Sequence, residues 1–432
     1  MAEAVHDAER LKELQSLPLE RKIQISQARV IEWYNHYKGN VVVSFSGGKD
    51  STVLLHLVRK IYPEVKAVFS NTGLEYPEIQ RFVKSFPNVD IVTPKMRFDQ
   101  VISVYGYPLI SKEVAEAIYY ARRIRSQSLN VERERESGTG QRKRCELEGQ
   151  RKRCGNAQNW KDSAKSDLAS TNRATEKSSH SDINFKNQTN SLDGGDDGGN
   201  RAGVDLVSLF NKQKYLPLAR DLPVLMSHYC CAKMKKAPLH KYHHQNNLYP
   251  ILGTLTEESR IRKQAWLRHG CNAFEGNNPT SQPLSFWTEQ NILEYILRYD
   301  LDIAPVYGDI IAIDDEGNSY NARDLLVPCK KLLCSGCDRT GCVYCGFGFH
   351  NEKGTTRFQR LAITHPRQYE YCIGGGKWVD NPYYDPTAPE YDGEWKNWNP
   401  KKVWSVSEKG LGLGKVFDMV NEIYGKDFYR YE

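Results

Sequence analysis

The 432-residue chain contains no run of 18 apolar residues, which speaks against a membrane-spanning helix. Its opening stretch, MAEAVHDAERLKELQSL, lacks the apolar segment of a secretory signal. The expectation is therefore a cytoplasmic protein with no membrane partner. The Walker pattern G-x-x-x-x-G-K-[ST] is missing, so a phosphate-binding loop of that kind is excluded. Net charge is also scarce over most of the chain. The formal net charge is +7, but residues 122–153 carry 11 Lys and Arg against 5 Glu and supply nearly all of it. That segment, and not the protein as a whole, is the candidate for contact with DNA or RNA.

Against these absences stands VVVSFSGGKDSTVLL, residues 41–55. Val41 to Val43 read as a buried strand of a parallel sheet, and Thr52 to Leu55, Leu57 and Val58 as the inner face of a following helix. The turn between them lies at a helix N-terminus, where backbone N–H groups lack intrahelical partners and the dipole is positive. Gly47 and Gly48 allow close approach of the main chain, Lys49 adds a cation, and Ser46 and Ser51 add hydroxyls. Asp50 is suited to capping the helix or holding a metal ion. A phosphate group is the expected guest, and SGGKDS resembles the PP-loop of the ATP-pyrophosphatase superfamily.

Further strands are expected at VKAVFSNTG (65–73) and VDIVTP (89–94), with helices between them and over residues 8–37. This alternation implies an α/β, doubly wound, mostly parallel sheet whose ligands sit beyond the carboxyl ends of its strands. Periodicity fails between about 125 and 204, in a tract with a repeated GQRKRC, a polar stretch and DGGDDGGN, read as a disordered insertion. Cys145 and Cys154 within it are read as free thiols. The implied organisation is a helical segment 1–38, a nucleotide-binding domain 39–124 and 205–310, the insertion 125–204, and a cysteine-rich region 311–432.

Eleven cysteines in a chain of this size point to metal binding or redox chemistry. Cys230 and Cys231 are adjacent, and Cys342 and Cys345 follow about 110 residues later as C-x-x-C. Two thiolates from each can surround a [4Fe-4S] cluster, with Lys233, Lys235, Lys236 and Arg339 lowering thiol pKa values nearby. Cys334, Cys337, Cys342 and Cys345 form C-x2-C-x4-C-x2-C, which suits zinc as an alternative. On the first reading Cys329, Cys334 and Cys337 are spare thiols with a sulfur-carrying or redox role, and Cys271 and Cys372 are structural. EESRIRK, residues 257–263, brings Arg260, Arg262 and Lys263 to a helix start, as expected of a second phosphate or sulfate clamp.

Taken in order, SGGKDS, NTGLEYPE, GYPLISKE, the CC…CxxC set, EESRIRK, FWTEQNILEYI and RTGCVYC resemble the phosphoadenosine phosphosulfate (PAPS) reductase family, over residues 20–124 and 205 to about 420. The resemblance implies an adenine nucleotide α-hydrolase-like fold. It implies that Ser46, Gly47, Gly48, Lys49, Asp50 and Ser51 bind phosphates, and that Asn71, Thr72, Gly73 and Glu75 line the nucleotide site. Lys49, Asp50, Arg260 and Arg262 would carry catalysis, Arg260 and Arg262 by holding the distal phosphate or sulfate. The double cysteine with CxxC is similar to the [4Fe-4S] members: reductases of adenosine phosphosulfate (APS), and sulfurtransferases that place sulfur in the DNA backbone. Assimilatory reductases carry a nucleophilic cysteine in a C-terminal Glu-Cys-Gly-Leu-His motif, whereas this sequence reads GKDFYRYE there, and Cys372 in YEYCIGGG does not match.

The leading expectation is accordingly ATP-dependent sulfur transfer to a nucleic acid or related acceptor, with Mg2+ accompanying ATP and a cysteine desulfurase or thioredoxin-like donor as partner. The alternatives are an APS or PAPS reductase that uses another thiol, such as Cys334 or Cys337, and a nucleotide or redox sensor within a larger assembly.

Overall fold

In the computed structural model, residues 7–122, 213–276, 278–324, 331–388 and 398–432 are described, so the insertion expected at 125–204 lies outside them. Two amphipathic helices, α1 (Ala8–Ser16) and α2 (Leu19–His36), lead into the first strand, β1 (Val41–Ser44). Val41, Val42 and Val43 are all buried, because β1 is covered on both faces. Helix α3 (Lys49–Arg59) follows and buries Val53, Leu54, Leu55, Leu57 and Val58. Then come β2 (Ala67–Ser70), α4 (Pro77–Lys84), β3 (Val89–Val92), α5 (Phe98–Tyr105) and the short β4 (Leu109–Ile110).

After residue 213 the chain adds α6 (Ala237–Asn246), β5 (Tyr249–Leu252), α7 (Arg260–His269), β6 (Asn272–Ala273), β7 (Thr280–Ser281) and α8 (Glu289–Arg298). The central sheet runs β3-β2-β1-β5-β7-β6, parallel except for β6 at the edge. The architecture is therefore mixed α/β with a mostly parallel sheet, as the alternation implied. Both segments that flank the insertion contribute to it, since Val41 to Ser44 of β1 lie beside Tyr249 to Leu252 of β5. Among the described residues no helix is long and apolar enough to cross a membrane.

The cysteine-rich region is woven into the first half rather than appended to it. Strands β8 (Ile310–Ile313), β9 (Ser319–Asn321) and β10 (Lys331–Cys334) form an antiparallel sheet. The next strand, β11 (Gly346–Phe347), pairs in parallel with β4, Gly346 beside Leu109. Helices α9 (Arg357–Thr364) and α10 (Pro366–Ile373), the hairpin of β12 (Lys377–Asp380) and β13 (Lys402–Ser405), and α11 (Leu413–Tyr424) complete the chain.

One buried cation ties the flanks of the insertion. Arg122 donates to the carbonyls of Leu218, Ala219, Leu222 and Val224 and lies 3.9 Å from the ring centroid of Trp398. Burial pushes its pKa down to about 9, so it remains charged at neutral pH.

Candidate active site

The SGGKDS turn lies at the carboxyl end of β1, with Gly48 as the N-cap of α3. Gly47 has φ +72, and a Cβ there would stand 2.7 Å from Val83 on α4, so the turn is built for glycine. The two serines brace the turn. Their hydroxyls are 3.0 Å apart, the Ser46 N–H donates to Ser51 Oγ, and Ser51 Oγ–H reaches the Gly48 carbonyl at 2.9 Å.

Lys49 is buried, which is exceptional for a lysine without partners. Its Nζ donates to the Asp338 carbonyl at 2.5 Å and pairs with Glu289 at 2.7 Å. Glu289 stands in the first turn of α8, which Thr288 starts through a reciprocal cap with Asn291. The Lys49 N–H donates to Tyr307 Oη, and that hydroxyl lies 2.8 Å from Thr340 Oγ1. Asp50 has its Oδ1 sealed from solvent with no hydrogen-bond partner. Burial raises the Asp50 pKa and Glu289 adds to this, while Lys49, Arg339 and Arg262 oppose it.

The two arginines of EESRIRK part company. Ser259 caps α7 by accepting from the Ile261 N–H. Positions two apart on a helix do not share a face, and Arg262 turns inward while Arg260 is exposed. Arg262 pairs with Glu258, whose carboxylate also meets Arg339 at 3.3 Å. Burial, and then repulsion from Arg339, lowers the Arg262 pKa. The structure thus brings Lys49, Asp50 and Arg262 together and leaves Arg260 outside that group.

The loop after β2 reaches the same end of the sheet. Thr72 donates to Glu75 through both its N–H (3.1 Å) and its hydroxyl (2.7 Å), and Gly73 N–H donates to Asn71 Oδ1. Next in sequence, the Leu74 carbonyl accepts from Val343 N–H, which links this loop to the CxxC segment. Glu75 and Lys235 both act electrostatically on the Cys342 thiol.

Cys230 and Cys231, in the short helix Tyr229–Cys231 that runs through a π-helical turn into α6, have Sγ atoms 4.0 Å apart and are free. Cys342 and Cys345 both act on the Cys230 thiol, so the four sulfurs gather around one place. The shared hydrogen bond raises the Cys230 pKa and lowers that of Cys231, with Lys112 and Lys235 assisting the second. Burial pushes Cys342 up to about 12, against the pull of Lys235. The expected cation set needs correction here. Lys112 replaces Lys233, whose ammonium lies over the rings of Tyr105 and Tyr229, and Arg339 faces Glu258 on the phosphate-loop side.

Four thiols with two lysines fit the donor chemistry of a cysteine-ligated [4Fe-4S] cluster, whose net negative charge the ammonium groups would offset. The C-x2-C-x4-C-x2-C quartet is split, because Lys49 is the main charge acting on Cys334 and Cys337, while Cys342 and Cys345 face the double cysteine. Among the described residues no three His, Cys, Asp or Glu side chains are arranged to hold a single metal ion.

A cavity of about 340 Å³ opens between these two centres, lined by Tyr76, Arg339, Cys342, Arg357 and Arg360 among others. Arg357 is held by Glu352 and by the Cys345 carbonyl. Arg360 donates to the Thr355 carbonyl, and its Nε is buried without a partner. Sequence reasoning missed Arg357, Arg360, Tyr307 and Glu289. The first two carried a signal, since RFQR puts two arginines three apart on one helical face.

A mostly parallel α/β sheet with a glycine-built turn at the end of its first strand is an arrangement that many nucleotide-binding proteins share. More narrowly, residues 40–144 match the phosphoadenosine phosphosulfate reductase domain, so this part of the chain is similar to that family. Adenosine 5'-phosphosulfate reductases of Bacillus cereus and Bacillus mycoides are 33% and 32% identical over 18% of this chain. The chain spans 37% of the length of these curated relatives. A PAPS reductase from Candida auris, solved as a phosphate complex, aligns over 70% of this chain and 92% of its own at 11% identity and a TM-score of 0.29, too loose a likeness to argue from.

Proposed function

We propose that the chain is an adenine-nucleotide-dependent enzyme of sulfur metabolism that cleaves ATP at the α-phosphate and transfers sulfur to a nucleic acid or a related acceptor. The observation that carries this reading is the buried Lys49 at the N-terminus of α3, beside Asp50 and Arg262. In the proposed reaction an acceptor oxygen attacks the α-phosphorus, the bond to the bridging oxygen breaks, and pyrophosphate leaves. A donor sulfur at the sulfide level then attacks the activated carbon or phosphorus of the acceptor and displaces AMP. Lys49 and the α3 amides neutralise the leaving pyrophosphate, Arg262 orients the distal phosphate, and Asp50 accompanies Mg2+. Cys230, Cys231, Cys342 and Cys345 would hold a [4Fe-4S] cluster, which supplies an electron or sulfur site when bound. The acceptor would reach the enzyme with help from the basic stretch 123–153, Arg122 itself being buried against backbone carbonyls.

A second reading, reduction of APS or PAPS to sulfite, is favoured by the basic cavity. Arg339, Arg357 and Arg360 suit a sulfo group, and the field of Arg360 extends to the Cys337 thiol. The test is turnover of anaerobically purified protein, with ATP and nucleic acid in one arm and APS or PAPS with a dithiol in the other. Pyrophosphate release that falls at least a hundredfold in Lys49→Ala supports the first reading. Sulfite release without pyrophosphate supports the second.

A further inference from the structure

The phosphate loop is covered by a segment of its own chain. The Lys49 N–H, a natural phosphate donor at a helix start, is taken by Tyr307 Oη at 3.2 Å. Thr340 meets the same hydroxyl, and the Asp338 carbonyl takes the Lys49 ammonium. The cover, residues 334–340, opens with Cys-Ser-Gly-Cys. It is pinned along the turn before β8: Ser335 N–H to Asp309 O at 2.9 Å, Gly336 N–H to Tyr307 O at 2.8 Å, and Cys337 N–H to Val306 O at 3.1 Å. Gly336 sits so close that a Cβ would stand 2.4 Å from the Val306 carbonyl. The chain bends at Ser335 and Gly336. Both thiols are free, Cys334 partly exposed and Cys337 buried, and both lie beside Lys49 rather than with the four gathered cysteines.

We propose that Cys334 and Cys337 are a redox-active dithiol whose closure to a disulfide lifts the 338–340 cover from Lys49 and opens the phosphate loop. The nucleotide consequence rests on reading Ser46–Ser51 as a nucleotide phosphate site; the movement of the cover does not. The chemistry is exchange with a disulfide oxidant such as oxidised glutathione. The Cys334 thiolate attacks one oxidant sulfur and releases one thiol. Cys337 then attacks Cys334 of the mixed disulfide, releasing the second thiol and closing the Cys334–Cys337 bond. Two protein thiols are oxidised and one small disulfide is reduced.

A disulfide draws its Cα atoms to about 4.4–6.8 Å. Cys334 is paired at the end of β10 opposite Ile310 and Gly336 packs against the Val306 carbonyl, so the adjustment that closure brings falls on Cys337 and its neighbour Asp338. The Asp338 carbonyl is the group that holds Lys49. Burial raises the pKa of both thiols while Lys49 opposes it, so closure accelerates as the pH rises.

The experiment uses the full chain, kept anaerobic, in glutathione buffers set reducing or oxidising. Peptide mass mapping reads the Cys334–Cys337 bond, and an amine-reactive ester reads the accessibility of Lys49 in the same digest. ATP affinity is measured in parallel by equilibrium dialysis. The expected result is a Cys334–Cys337 disulfide, at least threefold faster labelling of Lys49, and ATP binding about tenfold tighter, as for release of one charge-assisted hydrogen bond. Cys334→Ser and Cys337→Ser should show the same labelling in both buffers. Absence of the disulfide in folded protein overturns the proposal, and so does a disulfide that leaves Lys49 labelling unchanged. Faster labelling without ATP binding in either buffer supports the moving cover and refutes the nucleotide reading instead.

Discussion

Replacing Arg122 by Met tests whether the flanks of the insertion are held by hydrogen bonding or by apolar packing alone. The guanidinium is fully enclosed and donates to four carbonyls, at 2.8 Å to Leu218, 3.0 Å to Ala219 and Leu222, and 2.6 Å to Val224. No carboxylate pairs with it among the described residues, so its charge is met by peptide dipoles and the face of Trp398. Met fills similar length but takes this donor from the Leu218, Ala219 and Val224 carbonyls, while Leu222 keeps the Val224 N–H and Trp398 Nε1, and each orphaned group costs about 1–3 kcal/mol. Met also removes the cost of burying a charge, which offsets part of the loss. The expected net destabilisation is about 3–5 kcal/mol, a large share of the ~5–15 kcal/mol that stabilises a typical domain. Urea denaturation followed by tryptophan emission measures it, and Arg122→Lys should fall between the two, because one ammonium cannot reach four carbonyls in a fork. A loss below about 1 kcal/mol in Arg122→Met would refute the reasoning.

Cys231→Ser or Cys342→Ser should lower the iron and sulfide content of anaerobically purified protein, while Cys334→Ser should leave it unchanged. Equal loss in Cys334→Ser would return Cys334 to the metal-binding set. His243 on α6 has its pKa lowered to about 4 by burial, with His240 adding to the shift. Between that value and the ordinary 6.5 the unfolded chain binds the extra proton, so stability should fall as the pH drops from about 6.5 towards 4. His243→Gln should flatten that slope in urea midpoints taken at pH 7 and pH 5, and an unchanged slope would assign it to other groups.

Much of this was legible because it is local. The run Val41 to Val43 has to be buried, Gly47 and Gly48 have to turn, and Lys49 has to open the next helix, since period, glycine freedom and helix polarity act within a dozen residues. The alternation of strands and helices likewise implied the parallel sheet, because a parallel pair needs a crossover. EESRIRK announced a helix start through Ser259, yet a linear motif could not say that Arg262 turns inward and Arg260 outward. Helical geometry separates residues two apart, but only the packed neighbours decide which one faces the site.

What the tertiary structure decided is the grouping of charges and thiols that are far apart in the chain. Lys49 meets Glu289 and Asp338 because α8 and the segment after β10 come to rest over the start of α3. The spacing of Cys334, Cys337, Cys342 and Cys345 suited one tetrahedral ion, but the pairing of β11 with β4 carries the last two towards Cys230 and Cys231, while the turn at 306–309 keeps the first two beside Lys49. Sequence by itself determined which residues could bind phosphate, sulfur or metal, since that is a property of side-chain chemistry and local backbone. Which of them share a site depends on long-range packing, where burial and hydrogen bonding between distant segments are settled only once the whole chain has closed on its core.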